Sequence, residues 1–457
     1  MHDLDLLLRG GLVVTGADLQ SVDIGVSGGM IVALQPGITA SSREVIDAGG
    51  LHIFAGLIDA HVHFNEPGRT EWEGFETGTR ALAAGGGTTF FDMPLNAHPP
   101  TVDAASFEEK LQAARASSMV DFAFWGGLVP GNLDKLEELS ERGVIGFKAF
   151  MSNSGIDDFE SVDDNTLREG MKRAARLKKI VAVHAESEGM TRERTLQRVQ
   201  VGKTSIRDYL DSRPIEAELE AIERALSMAG ETGCALHIVH VSCGAGIVLI
   251  ATARARGVDV TCETCPHYLT LTEEDVVKLG AVAKCAPPLR PVAAQDTLWS
   301  SVSSGEVTTI GSDHSPSPPG MKQDANFFKV WGGISGVQHT LSLLITEGHV
   351  RREVALPLIG RLLSGNVARR FRLPSCKGGI TIGADADLVL VDLRRQFTVA
   401  REELFYRHRQ SPYCGRSLRG LVVRTLLRGQ TIFKDGKISS KPLGQLVKPE
   451  SGKEAND

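Results

Sequence analysis

His61 and His63 stand two residues apart at the end of a strand-like run, Leu57 to Phe64. Side chains alternate along a strand, so positions i and i+2 project to one face. Imidazole is the commonest metal ligand, and two on one face can share an ion; two satisfied histidines in a polar strand end are the plain alternative. Three further residues tilt the balance. His184, His240 and Asp313 each close another apolar run, the last within Gly311-Ser312-Asp313-His314-Ser315. Histidines and a carboxylate gathered from separate strand ends suit divalent ions that acidify water, and core packing gives no reason for them. Lys148 is the odd member, set in the apolar run Val144 to Ser152. A buried ammonium beside cations is opposed by desolvation and by like charge. The residues leave three resolutions open: an ion pair, a substrate-binding or Schiff-base lysine, or an amine turned by carbon dioxide into an anionic carbamate that bridges two ions.

These residues need a frame that brings strand ends together. From Gly56 onward eight apolar runs alternate with amphipathic segments, and helical spacing is plain over Phe107–Ala116, Leu133–Arg142 and Ile215–Ala229. That alternation predicts an α/β fold, a (β/α)8 barrel over 56–373, whose strands converge at their C-terminal ends on one face. The chain ends differ from this middle. Short β-branched runs broken by glycine over 1–55 and 374–440 predict strands with tight turns, joined into one small β-sandwich that the barrel interrupts. Residues 441–457 are polar and aperiodic and read as a solvated arm.

Composition narrows the class. At 457 residues the chain has room for one large and one smaller domain. A net charge of −6 offers no basic stripe, so nucleic acid is not an expected partner. No apolar run approaches the ~20 residues of a membrane span. Met1 to Gly11 has acidic residues and no basic region ahead of an apolar core, so a cytoplasmic protein without a signal peptide is expected. The seven scattered cysteines make a poor disulfide framework. Cys262 and Cys265 alternate to opposite strand faces and read as structural. Gly85-Gly86-Gly87 precedes a strand and lacks a following Lys-Ser/Thr, so it reads as a turn, not a phosphate loop. His314 should point away from Asp313's face, in a structural role. The segment Glu186–Arg213 is polar for a barrel helix and reads as an insert over the site, a subunit contact or a solvated loop.

Asp59-Ala60-His61-Val62-His63, Lys148, the single histidines His184 and His240, Ser312-Asp313-His314 and Gly383 to Leu388 closely resemble the cyclic amidohydrolases. That family holds hydantoinases, dihydroorotases and allantoinases, and the resemblance runs over nearly the whole chain. It implies a carboxylated Lys148 bridging two divalent ions, zinc first, with cobalt, manganese or nickel as alternatives. His61, His63 and Asp313 would hold one ion, and His184 and His240 the other, with Asp313 as the catalytic proton shuttle. It also implies a small-molecule substrate and a homo-oligomer, a dimer or a tetramer.

Flanking residues bear on the substrate. Dihydroorotases carry an arginine where Asn65 stands, and a neutral amide cannot replace a guanidinium gripping a carboxylate. Hydantoinases carry a tyrosine five residues after the bridging lysine, where this chain has Asn153. Asn65 to Phe75, Ser312 to Pro316 with Pro318-Pro319, Trp331 to Ile334 and Tyr406-Arg407-His408 resemble the allantoinase branch, which implies ring opening of allantoin to allantoate. A hydantoinase or dihydropyrimidinase is the alternative. A non-catalytic dihydropyrimidinase-like assembly protein is a third reading, disfavoured because such proteins have lost ligands retained here. Asn65, Asn96, Asn153, Ser315 and Gly332 are candidates for lining the substrate, with turn or cap roles as the alternative. Ala286 departs from the serine often found in relatives.

Overall fold

The computed structural model describes residues 3–439 and 441–450. Its barrel strands are Leu57–Val62, Gly87–Asp92, Asp121–Phe124 continuing at Gly126–Gly127, Gly146–Phe150, Ile180–His184, Leu236–Ile238, Val260–Thr264 and Thr309–Ile310. Each pairs in parallel with the next. The last returns to the first where Val62 bridges His314 in parallel and the His63 N–H donates to the His314 carbonyl at 2.8 Å. Strands two, four and five are buried along their whole length, as expected where helices cover one face and the barrel interior the other. Helices Ala104–Ser117, Leu136–Arg142 and Ile215–Thr232 occupy the amphipathic segments, the second led in by a 3-10 turn at Leu133–Lys135. Gly86 turns the chain into strand two at φ 93°, where a side chain would meet Val389 at 2.7 Å.

The sandwich draws on both chain ends. One sheet is built from Leu4–Arg9, Asp23–Ser27, Met30–Gln35 and Ser42–Asp47. The other joins Leu12–Val14, Leu19–Ser21 and His52–Ala55 to Leu388–Thr398, Ser417–Leu427, Gln430–Lys434 and Lys437–Ile438. The join is the antiparallel pairing of His52–Ala55 with Leu388–Val391. Leu6, Leu8, Ile24, Val26, Ile53, Leu388, Leu390 and Leu426 pack into one core there. The fold is therefore a (β/α)8 barrel with a small β-sandwich made from the two ends.

The expected solvated arm needs correction over 441–450. Gly444 N–H donates to the Ser118 carbonyl at 3.0 Å, Phe122 N–H to the Gln445 carbonyl at 3.0 Å, and Val447 N–H to the Phe122 carbonyl at 2.7 Å. Leu446 bridges Phe122 in parallel, and Val447 is buried. Main-chain groups at the lower edge of barrel strand three need partners, and this segment supplies them. Residues 451–457 lie outside the described residues. Among the described residues no helix is long and apolar enough to cross a membrane, and the seven cysteines form no disulfide.

Candidate active site

The six residues singled out by type and spacing meet at the C-terminal end of the barrel. Nε2 of His61 and of His63 lie 3.2 and 3.4 Å from Oδ1 of Asp313. Nδ1 of His184 faces Nε2 of His240 at 3.0 Å, and the His61 and His240 rings are 5.4 Å apart. His240 and Asp313 stand just beyond their strands with φ of 41° and 46°. Non-glycine residues seldom adopt this left-handed conformation, and it turns both side chains inward.

Lys148 is fully buried, and its Nζ has no hydrogen-bond partner among the described residues. Burial pulls its amine down to about 7, against the pull of Asp313 and Glu263. A charge on it would lower His61, His184 and His240, so the amine is near both groups of histidines. An ammonium with no acceptor is far more expensive to bury than a neutral amine. Burial likewise lowers His61 to about 4 and lowers His63 and His240. Burial alone would raise Asp313, but His61, His63 and His240 outweigh it and hold the carboxyl well below its ordinary range. Imidazoles and an amine whose protons are loosened by burial, with an ionised carboxylate, form a donor set that could hold two divalent ions.

Behind these donors lies a layer of acids that sequence reasoning missed. Glu263 Oε1 lies 2.7 Å from His61 Nδ1, which leaves Nε2 to face the site. Burial pushes Glu263 up to about 8, a penalty that a cation on Nε2 would offset. Glu186 Oε2 takes His184 Nε2 at 2.9 Å and pairs with Arg213. Burial opposes its charge, yet Arg213 and His184 outweigh it and hold the carboxyl at about 2. Asp59 Oδ1 accepts the N–H groups of His61 and Ser312 at 3.1 and 3.0 Å, tying strand one to strand eight. Asp59 and Glu186 were legible: each lies two residues from a candidate histidine, Asp59 on the same strand face as His61 and Glu186 just past the strand that His184 ends. Cys265 and His267 also bring donor atoms close to Asp313, all three within 4.8 Å of one another. Cys262 faces away, its Sγ toward the Glu306 carbonyl at 3.7 Å.

A cavity of about 680 Å³ opens above the donors. Asn96, Asn153, Ser315, Gly332 and Ala286 line it. Asn153 turns its Oδ1 to the Gly155 N–H at 2.7 Å, so the turn role is realised as well. Asn65 departs from expectation. It is fully buried at φ 64°, outside the cavity lining, with Nδ2 toward the Pro316 carbonyl at 3.4 Å. A left-handed turn after His63 directs it into the protein. His314 is buried too, and its Nδ1 accepts the Gly336 N–H at 3.1 Å. Glu186–Arg213 forms helices Glu188–Gln200 and Ile206–Ser212, whose Thr191, Thr195, Leu196 and Tyr209 wall the cavity.

Comparison with known proteins agrees with this geometry. The profile described as "Amidohydrolase family" matches residues 52–432. An allantoinase of Rubrobacter xylanophilus is 56% identical over 99% of both chains, and one of Deinococcus radiodurans is 51% identical over 98% of this chain and 99% of its own. The solved L-hydantoinase (dihydropyrimidinase) of Arthrobacter aurescens superposes with a TM-score of 0.95 at 32% identity, covering 97% of this chain and all of that one. The chain belongs to the amidohydrolase family.

Proposed function

We propose that this chain opens the five-membered ring of allantoin by hydrolysis, giving allantoate, at a binuclear centre held by His61, His63, Asp313, His184, His240 and a carbamate on Lys148. Family membership implies a binuclear divalent centre with a carbamylated lysine. The observation that carries the reading is the Lys148 amine, buried and unpartnered among histidines and carboxylates. In its neutral form the amine's lone pair can attack carbon dioxide, forming an N–C bond as one N–H proton leaves to solvent, which puts an anionic carbamate in place of the buried amine. When bound, the ions supply an acidified water and a Lewis acid for the amide carbonyl. Asp313 accepts the water's proton at a carboxylate oxygen and returns it to the ring nitrogen as the C–N bond breaks. Glu263 and Glu186 hold His61 and His184 in their orientations. Asn96, Asn153, Ser315 and Gly332 face the substrate, and zinc is the preferred metal. Full-length relatives named allantoinase favour allantoin, and the solved hydantoinases favour hydantoin or dihydropyrimidine as the second reading.

Metal-reconstituted protein offered allantoin, hydantoin, dihydrouracil and dihydroorotate is expected to prefer allantoin. Turnover of hydantoin or dihydrouracil without allantoin would overturn the assignment. The same reading gives a cytoplasmic homo-oligomer, a dimer or tetramer, which light scattering on the purified protein resolves.

A further inference from the structure

One cavity wall owes its shape to two lysines outside the metal site. Residues 327–333 form no regular element, yet Phe328 to Gly333 line the cavity. Lys284 Nζ donates to the carbonyls of Phe327 at 2.6 Å, Phe328 at 3.4 Å and Val330 at 2.5 Å. Lys322 Nζ donates to those of Ala281 at 3.2 Å, Trp331 at 2.9 Å and Gly333 at 2.7 Å. An ammonium has three protons and no acceptor, and each lysine meets three carbonyls. The Tyr209 ring lies 4.4 Å from Lys284 Nζ, and Lys284's own carbonyl accepts the Gly333 N–H at 2.8 Å. Five carbonyls of the wall are thus drawn onto the two ammonium groups. Among the described residues, neither the N–H nor the carbonyl of Gly332 has a partner. Lysines held inside a protein usually find carboxylates, as Lys110 does with Asp92 at 2.7 Å, so two that bond only main-chain carbonyls, most of them in one cavity wall, ask for an explanation.

We propose that Lys284 and Lys322 are positioning residues for substrate, fixing the 327–333 wall so that the free backbone groups of Gly332 meet the ring amide. This rests on the cavity being the site of ring opening. Each ammonium replaces a turn of regular structure: it orders a loop by gathering carbonyls, and the N–H and carbonyl of Gly332 stay free for the ligand. Loss of either lysine frees the wall to sample other conformations, and binding suffers before chemistry does.

The test is steady-state kinetics on Lys284→Met and Lys322→Met as metal-loaded enzymes. The expected result is a KM for allantoin raised at least tenfold, kcat within twofold of wild type and two metal ions retained per chain. Amide hydrogen exchange should rise in 327–333 and not in the barrel strands. An unchanged KM despite a loosened wall, or a kcat loss that tracks metal loss, would overturn the proposal. Should Lys284→Met fail to accumulate, Lys322→Gln at the half-buried lysine carries the same comparison. Wild-type enzyme inactive on allantoin counts against the substrate assignment alone, and the comparison then runs on whichever cyclic amide it opens.

Discussion

At the scale of single residues, the site is a set of donors in which burial opposes charge on the imidazoles and the amine, while the histidines keep the Asp313 carboxyl well below its ordinary range. Replacing Lys148 with alanine removes the only amine within that set, and metal content measured by mass spectrometry should fall below two ions per chain, with activity lost even in bicarbonate. Unchanged metal content and activity would refute the carbamate. Glu263→Gln leaves the His61 ring in place but withdraws a carboxylate 2.7 Å from its Nδ1. Chelator competition should show metal held about tenfold or more less tightly, the usual consequence of losing such a partner. The histidines and Asp313 were readable because each sits at the end of an apolar run, where a polar residue is conspicuous, and Lys148 because it is a lone charge in the middle of one. Cys265 and His267 were not, since their approach to Asp313 depends on how strands seven and eight leave the barrel. The placing of Asn65 outside the cavity lining was not readable for a related reason: its φ of 64° decides where the side chain goes.

At the scale of elements, the barrel strands were legible as continuous apolar runs because both of their faces are covered. Helix limits moved by only a few residues, with Ile215–Ala229 extending to Thr232. The strand-like segment at 443–447 was illegible, because it is short and set in a polar stretch, and Leu443, Leu446 and Val447, which pack against the core, follow no regular period. A side chain at Gly444 would stand 2.1 Å from the Val120 carbonyl, which no rotamer can relieve. Gly444→Ala is therefore expected to lift the segment and lower stability by about 1–3 kcal/mol. A shift of the urea midpoint, with faster exchange of the Phe122 amide, is the measurement. An unchanged midpoint would mean that the segment contributes little.

At the scale of the whole molecule, one buried cluster ties the parts together. Lys377 Nζ lies 2.6, 2.8 and 2.7 Å from carboxylate oxygens of Asp121, Asp385 and Asp387. Arg428 also reaches Asp121, and donates to the Leu443 carbonyl at 2.7 Å. Barrel strand three, the return to the sandwich and the 443–447 segment thus share one set of charges. Lys377→Met would strand these acids, and a loss of about 3–5 kcal/mol is expected from denaturant unfolding. Burial opposes the lysine's charge, but Asp387 and Asp121 outweigh it and raise its proton affinity above the ordinary 10.5. Its contribution is therefore fully present below pH 10.5 and disappears as pH rises through the raised value. Wild type should lose stability over that alkaline range, and Lys377→Met should lack that part of the dependence. The split sandwich was legible from the like texture of the two ends, whereas this cluster joins residues scattered along the chain that no local pattern connects. The 443–447 segment also bears on the order of synthesis. A ribosome makes it after the barrel and sandwich strands, so the lower edge of strand three stays open while nearly all of the chain emerges. Nascent chains stalled just short of Leu443 should expose that edge to chaperones or to one another, and release should end the exposure.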